Sequence, residues 1–162
     1  MMWRLIGGVV VLSLGAALLW GTAQRVVPPP VSTEMKFGFI RGFDATTRVL
    51  LFDDARWLVG REAEDAAVAA GVCSDEKRDE CTPSDYFIVN EATTTEQLTF
   101  SIDTHIALMT LNAEEYGVQE TRVSLDEFAK LLNDKNAVWS SLPYQLLLEN
   151  GEITIIEEVY VP

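Results

Sequence analysis

YQLLLENGEITIIEEVYV, residues Tyr144 to Val161, is the stretch that says most directly how the chain folds. Two β-rich runs flank Glu149-Asn150-Gly151-Glu152, and Asn-Gly supplies the positive φ angles that a tight hairpin turn needs. Leu146 and Leu148 alternate before the turn, and Ile153, Ile155, Val159 and Val161 after it. Each arm therefore has one apolar face. Glu157-Glu158 interrupts the second arm and reads as an edge device or bulge that discourages pairing with other chains.

Working back from the hairpin, Val123 to Asn133 predicts a helix. Ser124-Leu125-Asp126-Glu127 has the spacing of a capping box, and Leu125, Phe128, Leu131 and Leu132 line one face. Before it, Gln97 to Leu111 predicts one or two strands. Leu98, Phe100, Ile102, Thr104, Ile106, Leu108 and Thr110 share one parity, with Asp103 and His105 on the other. His105 reads as an exposed strand histidine, since a general base needs a positioned partner and a nucleophile. Asp85 to Asn90 (DYFIVN) predicts a further strand.

The chain up to that strand is also periodic. Lys36 to Phe43 alternates, with Phe37, Phe39, Arg41 and Phe43 on one side. Asp44-Ala45-Thr46-Thr47 then reads as a turn into a second strand, Arg48 to Phe52. Gly38 and Gly42 suggest a bend or bulge of the kind that curls a small barrel. Arg61 to Ala70 predicts a helix with Ala63, Ala66, Ala67 and Ala70 in one stripe and Gly71 at its C′ position. Cys73 and Cys81 enclose a charged loop, and two cysteines with no third imply a disulfide in an oxidising compartment. Asp75, Glu76, Asp79 and Glu80 in that loop invite a calcium reading, but they lack the spacing and central glycine of an EF-hand loop.

The first 23 residues assign a compartment. Trp3 to Ala23 has one charge, Arg4, and otherwise only apolar, glycine and small hydroxyl residues, and as a helix it would rise about 31 Å, close to the thickness of a bilayer's hydrocarbon core. It is either a transmembrane anchor or a signal peptide cleaved after Ala23, and its length favours the anchor. With Arg4 and the α-amino group on one side, the domain is expected outside the cytoplasm, either single-pass or, after cleavage, secreted or periplasmic. Gln24 to Met35, with Pro28-Pro29-Pro30, reads as a stiff linker. Residues 36–162 are left as one domain.

The 162 residues carry a net charge of −13. Such a surface repels phosphate backbones, so nucleic acid is an unsuitable partner. No pattern for a metal or cofactor is present, and no nucleophile is paired with a base. Arg41, Trp57 and Tyr86 are the candidates for a ligand surface, although strand aromatics usually pack. Asp53, Asp54 and Asp85 are the carboxylates available to an alternative, a hydrolase of cell-wall glycan or peptide. Cation binding at residues 75–80 is a second alternative.

Asp53, Trp57, Leu58 and Gly60 (Asp-x-x-x-Trp-Leu-x-Gly), the Tyr-Phe-Ile-x-Asn strand and the Glu-Glu-x-Tyr-x-Pro ending together resemble a group of small exported bacterial proteins of unknown function. The resemblance covers about residues 36–162, with the cysteine loop as a departure, and it implies no activity and no site residues. The strand–helix order also resembles an OB-type barrel, which implies fold and not function. The expected fold is α+β: a small, mostly antiparallel barrel or curled sheet with two helices. The expected function is a non-catalytic binding or structural module of the cell envelope.

Overall fold

The computed structural model of this chain describes residues 30–91, 94–134 and 138–161. The apolar stretch 3–23 lies outside them, and with it the choice between anchor and signal peptide. Among the described residues no helix is long and apolar enough to cross a membrane.

Five strands close into a mixed barrel: β1 (Thr33–Asp44), β2 (Val49–Asp54), β5 (Thr95–Leu108), β7 (Pro143–Glu149) and β8 (Glu152–Glu158). Around the barrel the order is β1-β2-β5-β8-β7, and β7 returns to pair with β1. The sheet is mostly antiparallel, with β5 and β8 running parallel. Short β6 (Thr121–Arg122) lies beside the end of β5. Among the described residues there are three α-helices, where two were expected in the domain: α1 (Gly60–Ala69), α2 (Ala113–Tyr116) and α3 (Leu125–Asn133). Strands β3 (Arg56–Val59) and β4 (Tyr86–Val89) form a separate two-stranded ribbon. β1 begins at Thr33, so the last residues of the expected linker belong to the barrel.

The hairpin that organises the sequence forms as its turn chemistry dictates. Asn150 and Gly151 take φ 53° and 84°, the pair of left-handed residues a tight turn needs. Its second arm departs from strict alternation, because Leu147 faces Ile155 while Leu148 faces Ile153. The extra residue, Thr154, is a bulge that turns both Ile153 and Ile156 into the core, and Ile155 outward. β5 is interrupted too, although its large buried side chains keep one parity. Its register with β8 shifts between Phe100 and His105, so Leu98, Phe100, Ile106 and Leu108 are buried while Ile102 is 83% exposed. The shifted segment is braced: Arg48 donates to the Ser101 carbonyl, and the Thr104 hydroxyl lies 2.8 Å from that carbonyl and 2.7 Å from that of Ile153.

β1 carries a third bulge at Arg41, between Ile40 and Gly42. It swings Phe43 off the side it was expected to share with Phe37, Phe39 and Arg41, to pack 5.2 Å from Phe100 in the core. Gly38 has a different task. A Cβ there would lie 2.1 Å from the Asp53 carbonyl oxygen, so only glycine allows β1 and β2 to approach this closely.

Helix α3 starts on the expected capping box. The Glu127 N–H donates to Ser124 Oγ at 3.3 Å, and Ser124 N–H to Glu127 Oε2 at 2.9 Å. Phe128 enters the barrel core against Phe43 and Tyr144, and Leu125, Leu131 and Leu132 pack around it. Tyr144 is fully buried and its hydroxyl donates to the Trp139 carbonyl at 2.9 Å, which meets the cost of burying a phenol.

The excursion between β2 and β5 holds the ribbon, α1 and the cysteines. α1 buries Ala63 and Ala67 completely. Its end is a Schellman motif: Gly71 N–H donates to the Val68 carbonyl and Val72 N–H to that of Ala67, with Gly71 at φ 73°. Cys73 and Cys81 are joined, with their Cα atoms 5.6 Å apart.

Candidate functional site

Residues of β1 alternate, so Phe37, Phe39 and Arg41 share its outer side. The excursion settles over part of this surface. Trp57 of β3 meets Phe37 edge-on at 5.5 Å and stacks on Tyr86 of β4 at 4.3 Å and 16°. The stacked faces of Trp57 and Tyr86 are turned toward each other, and the trio joins ribbon to barrel. Arg41 lies apart from them, its guanidinium 5.1 Å from the Phe39 ring centroid. The three residues singled out as a ligand surface thus form two adjoining groups: an aromatic joint, and an arginine committed to a carboxylate.

That carboxylate is Asp53, whose side chain is 3% exposed although it points out of the barrel. Three donors converge on its Oδ2: Arg41 Nε at 2.9 Å, Arg41 Nη2 at 2.8 Å and Asn90 Nδ2 at 2.9 Å. Burial pushes this carboxyl up, but the bonds from Asn90 and Arg41, with the guanidinium charge, outweigh it and hold the group below the ordinary carboxylate range. Asp53 is therefore anionic at neutral pH, with its donors gathered on Oδ2, while its buried Oδ1 has no hydrogen-bond partner among the described residues. Asn90 was not recognised from the sequence. It ends the DYFIVN run, and nothing local in that run points to a partner 37 residues away.

Asp54 points the other way, as neighbours on a strand must. It meets Lys36 Nζ at 3.2 Å, and Glu34 at 3.2 Å and Glu96 at 2.7 Å share the same ammonium. The Lys36 side chain is only 13% exposed. Burial pushes its pKa down, and the three carboxylates, Glu96 foremost, more than reverse this and raise it above the usual lysine range. Asp53 and Asp54 thus serve different partners and do not form one reaction centre. Asp85, the third carboxylate of the hydrolase reading, sits at φ 60° in the turn before β4.

The Glu157-Glu158 pair is also not an edge device. Glu158 is 3% exposed and accepts from the N–H groups of Met109 and Thr110 at 2.8 and 3.0 Å and from the Thr110 hydroxyl at 2.6 Å. It ties the end of β5 to β8. His105 lies 3.9 Å from Glu120 at the sheet surface. In the cysteine loop, Arg78 pairs with Asp75 and with Asp65 of α1. Among the described residues no group of three or more His, Cys, Asp or Glu is placed to hold a metal ion.

A recess lies on the barrel wall beside the β1–β2 turn. Phe43, Asp44, Thr47, Val49, Leu51 and Gln97 line a volume of about 490 Å³ over the outer side of β2 and the start of β5. Val49 faces Thr99 and Leu51 faces Gln97 across the pair. Asp44 is the one charged residue in this lining, and its carboxyl accepts from Thr46 and Thr47 to close the turn. The Thr47 hydroxyl and those two amides hold it below the usual carboxylate range. No protein-family model, curated protein or solved structure matches this chain.

Proposed function

We propose that the chain is a non-catalytic binding module of the cell envelope, built on an OB-type barrel and carried outside the cytoplasmic membrane by residues 3–23. The observation that carries this reading is the connectivity. In chain order the barrel strands lie first-second-third-fifth-fourth, with third and fifth parallel and fourth closing on first. A helix, α3, stands between the third and fourth. This is the OB scheme, in which the face of the second and third strands and the loop between the first and second bind oligonucleotides or oligosaccharides. In this chain those elements are β2, β5 and the Asp44–Thr47 turn, which line the recess with Asp44 as its one charged residue.

A net charge of −13 disfavours a phosphate backbone, so a neutral wall glycan is the ligand class that fits. The test is amide NMR of the ¹⁵N-labelled full chain in detergent micelles, titrated in turn with uncharged wall-type oligosaccharides and with single-stranded DNA. Shifts at Val49, Leu51 and Gln97 with the sugar alone are expected. No response to the sugar, or equal response to DNA, refutes the assignment. For the location, sequencing the mature N-terminus decides between anchor and cleaved leader, and recovery of the intact chain from cytosol with both thiols reduced contradicts either.

A further inference from the structure

We infer that the Cys73–Cys81 disulfide is a redox-sensitive latch that governs docking of the β3–α1–β4 excursion, while the barrel keeps its fold in either redox state. The first observation is where the core lies. Its members come from β1, β2, β5, β7, β8 and α3 and from the segments beside them, and among the described residues none between 55 and 91 belongs to it. The barrel therefore does not draw on the excursion for its apolar burial.

The excursion is in the opposite position. Of its described residues only the small side chains Ala63 and Ala67 are buried apolar groups. A segment of under about 40 residues with so little core usually needs a covalent staple. Its ties to the barrel are few: the Trp57–Phe37 contact, the Asn90–Asp53 hydrogen bond, and Ala55 N–H to the Phe37 carbonyl at 2.8 Å. The disulfide spans the connection from the end of α1 to the approach of β4, the strand that supplies Tyr86 and leads into Asn90. Both cysteines are only half-buried, which leaves the bond open to attack.

The chemistry is thiol–disulfide exchange with a dithiol reductant. One thiolate of the reductant attacks a cysteine sulfur, the S–S bond breaks, and the other cysteine leaves as a thiolate that takes a proton. The reductant's second thiol then resolves the mixed disulfide. Cys73 and Cys81 end as two thiols, and the reductant as a disulfide. Freed of its nine-residue closed loop, the excursion opens roughly 80-fold more often on chain-entropy grounds. Opening withdraws Asn90 from Asp53 and Trp57 from Phe37, and bares the aromatic side of β1.

Hydrogen exchange on the full chain, oxidised and then reduced with dithiothreitol under native conditions, tests this. Amides of α1, β3 and β4 should exchange about 80-fold faster after reduction, with those of β1, β2, β5, β7 and β8 unchanged. The Cys73→Ser/Cys81→Ser double variant should give the reduced pattern with no reductant present. Three results overturn the inference: unchanged exchange in the excursion, equal acceleration in the barrel, or a double variant that fails to fold.

Discussion

Replacing Gly38 by alanine tests how closely the first two strands are pressed together. The new Cβ would lie 2.1 Å from the Asp53 carbonyl oxygen and 3.1 Å from the Ala55 nitrogen. Real Cβ contacts essentially never fall below 3.0 Å, so the strands must part by about 0.9 Å, and the obstructing atoms are backbone. The hydrogen bond from Ala55 N–H to the Phe37 carbonyl, 2.8 Å long, cannot survive a comparable stretch. Its loss costs about 1 kcal/mol, and overpacking adds about 1–3 kcal/mol. The alanine recovers about 0.4–1 kcal/mol by stiffening the unfolded chain. The expected net loss is therefore about 1–4 kcal/mol. Gly42→Ala is the internal control: there the new Cβ meets only the flexible end of Leu51, at 3.1 Å, and the change should stay within about 1 kcal/mol. Urea unfolding of both variants beside the parent gives the comparison. Equal midpoints for the two variants would refute the close-approach argument.

Asp53→Asn should lose about 1–2 kcal/mol at pH 7, a range kept low because Arg41 is 44% exposed and water can take over part of its role. Since the folded-state pKa of Asp53 is depressed, that stabilisation is full above the unfolded value near 3.9 and disappears as pH falls through the folded one. Parent and variant stabilities measured by urea titration should therefore converge in acid, and a gap that persists there contradicts the charge assignment. Glu158→Ala strips the partners from the Met109 and Thr110 amides and should cost about 2–4 kcal/mol, with faster amide exchange at those two positions. Glu158→Gln keeps an acceptor oxygen and should cost less, and a glutamine as damaging as alanine would mean that the hydrogen bonds are not what matters.

The parts of this fold that could be read from the chain are those whose chemistry is local. Asn150-Gly151 needs two left-handed residues side by side, Ser124 and Glu127 cap each other across one helical turn, and Gly71 ends α1 by adopting a conformation other residues avoid. Each is decided within a few positions. The three bulges are not, because an inserted residue at Arg41, Thr154 or the segment after Phe100 leaves the local alternation intact and shows only in the register with a distant strand. That is why Ile102 was expected to share the face of Leu98 and Phe100, and Phe43 that of Phe37 and Phe39. The parallel β5–β8 pairing was hidden for the same reason. At the candidate site, Arg41 and Trp57 were recognised by residue type, but their partners were not. Asp53 and Asn90 find each other through the docking of the ribbon, and Lys36 gathers three carboxylates from β1, β2 and β5.

The placement of the ribbon also bears on how quickly the barrel can form. β2 and β5 must meet to shut the cylinder, yet the whole excursion runs between Asp54 and Thr95. Bringing the ends of a long slack tether together carries an entropic toll that grows with its length. The pairing of Arg56 with Val89 removes most of that slack in advance. A nascent chain that zips the ribbon first thus delivers its two seam strands almost side by side, and the last circumferential gap closes as a local event.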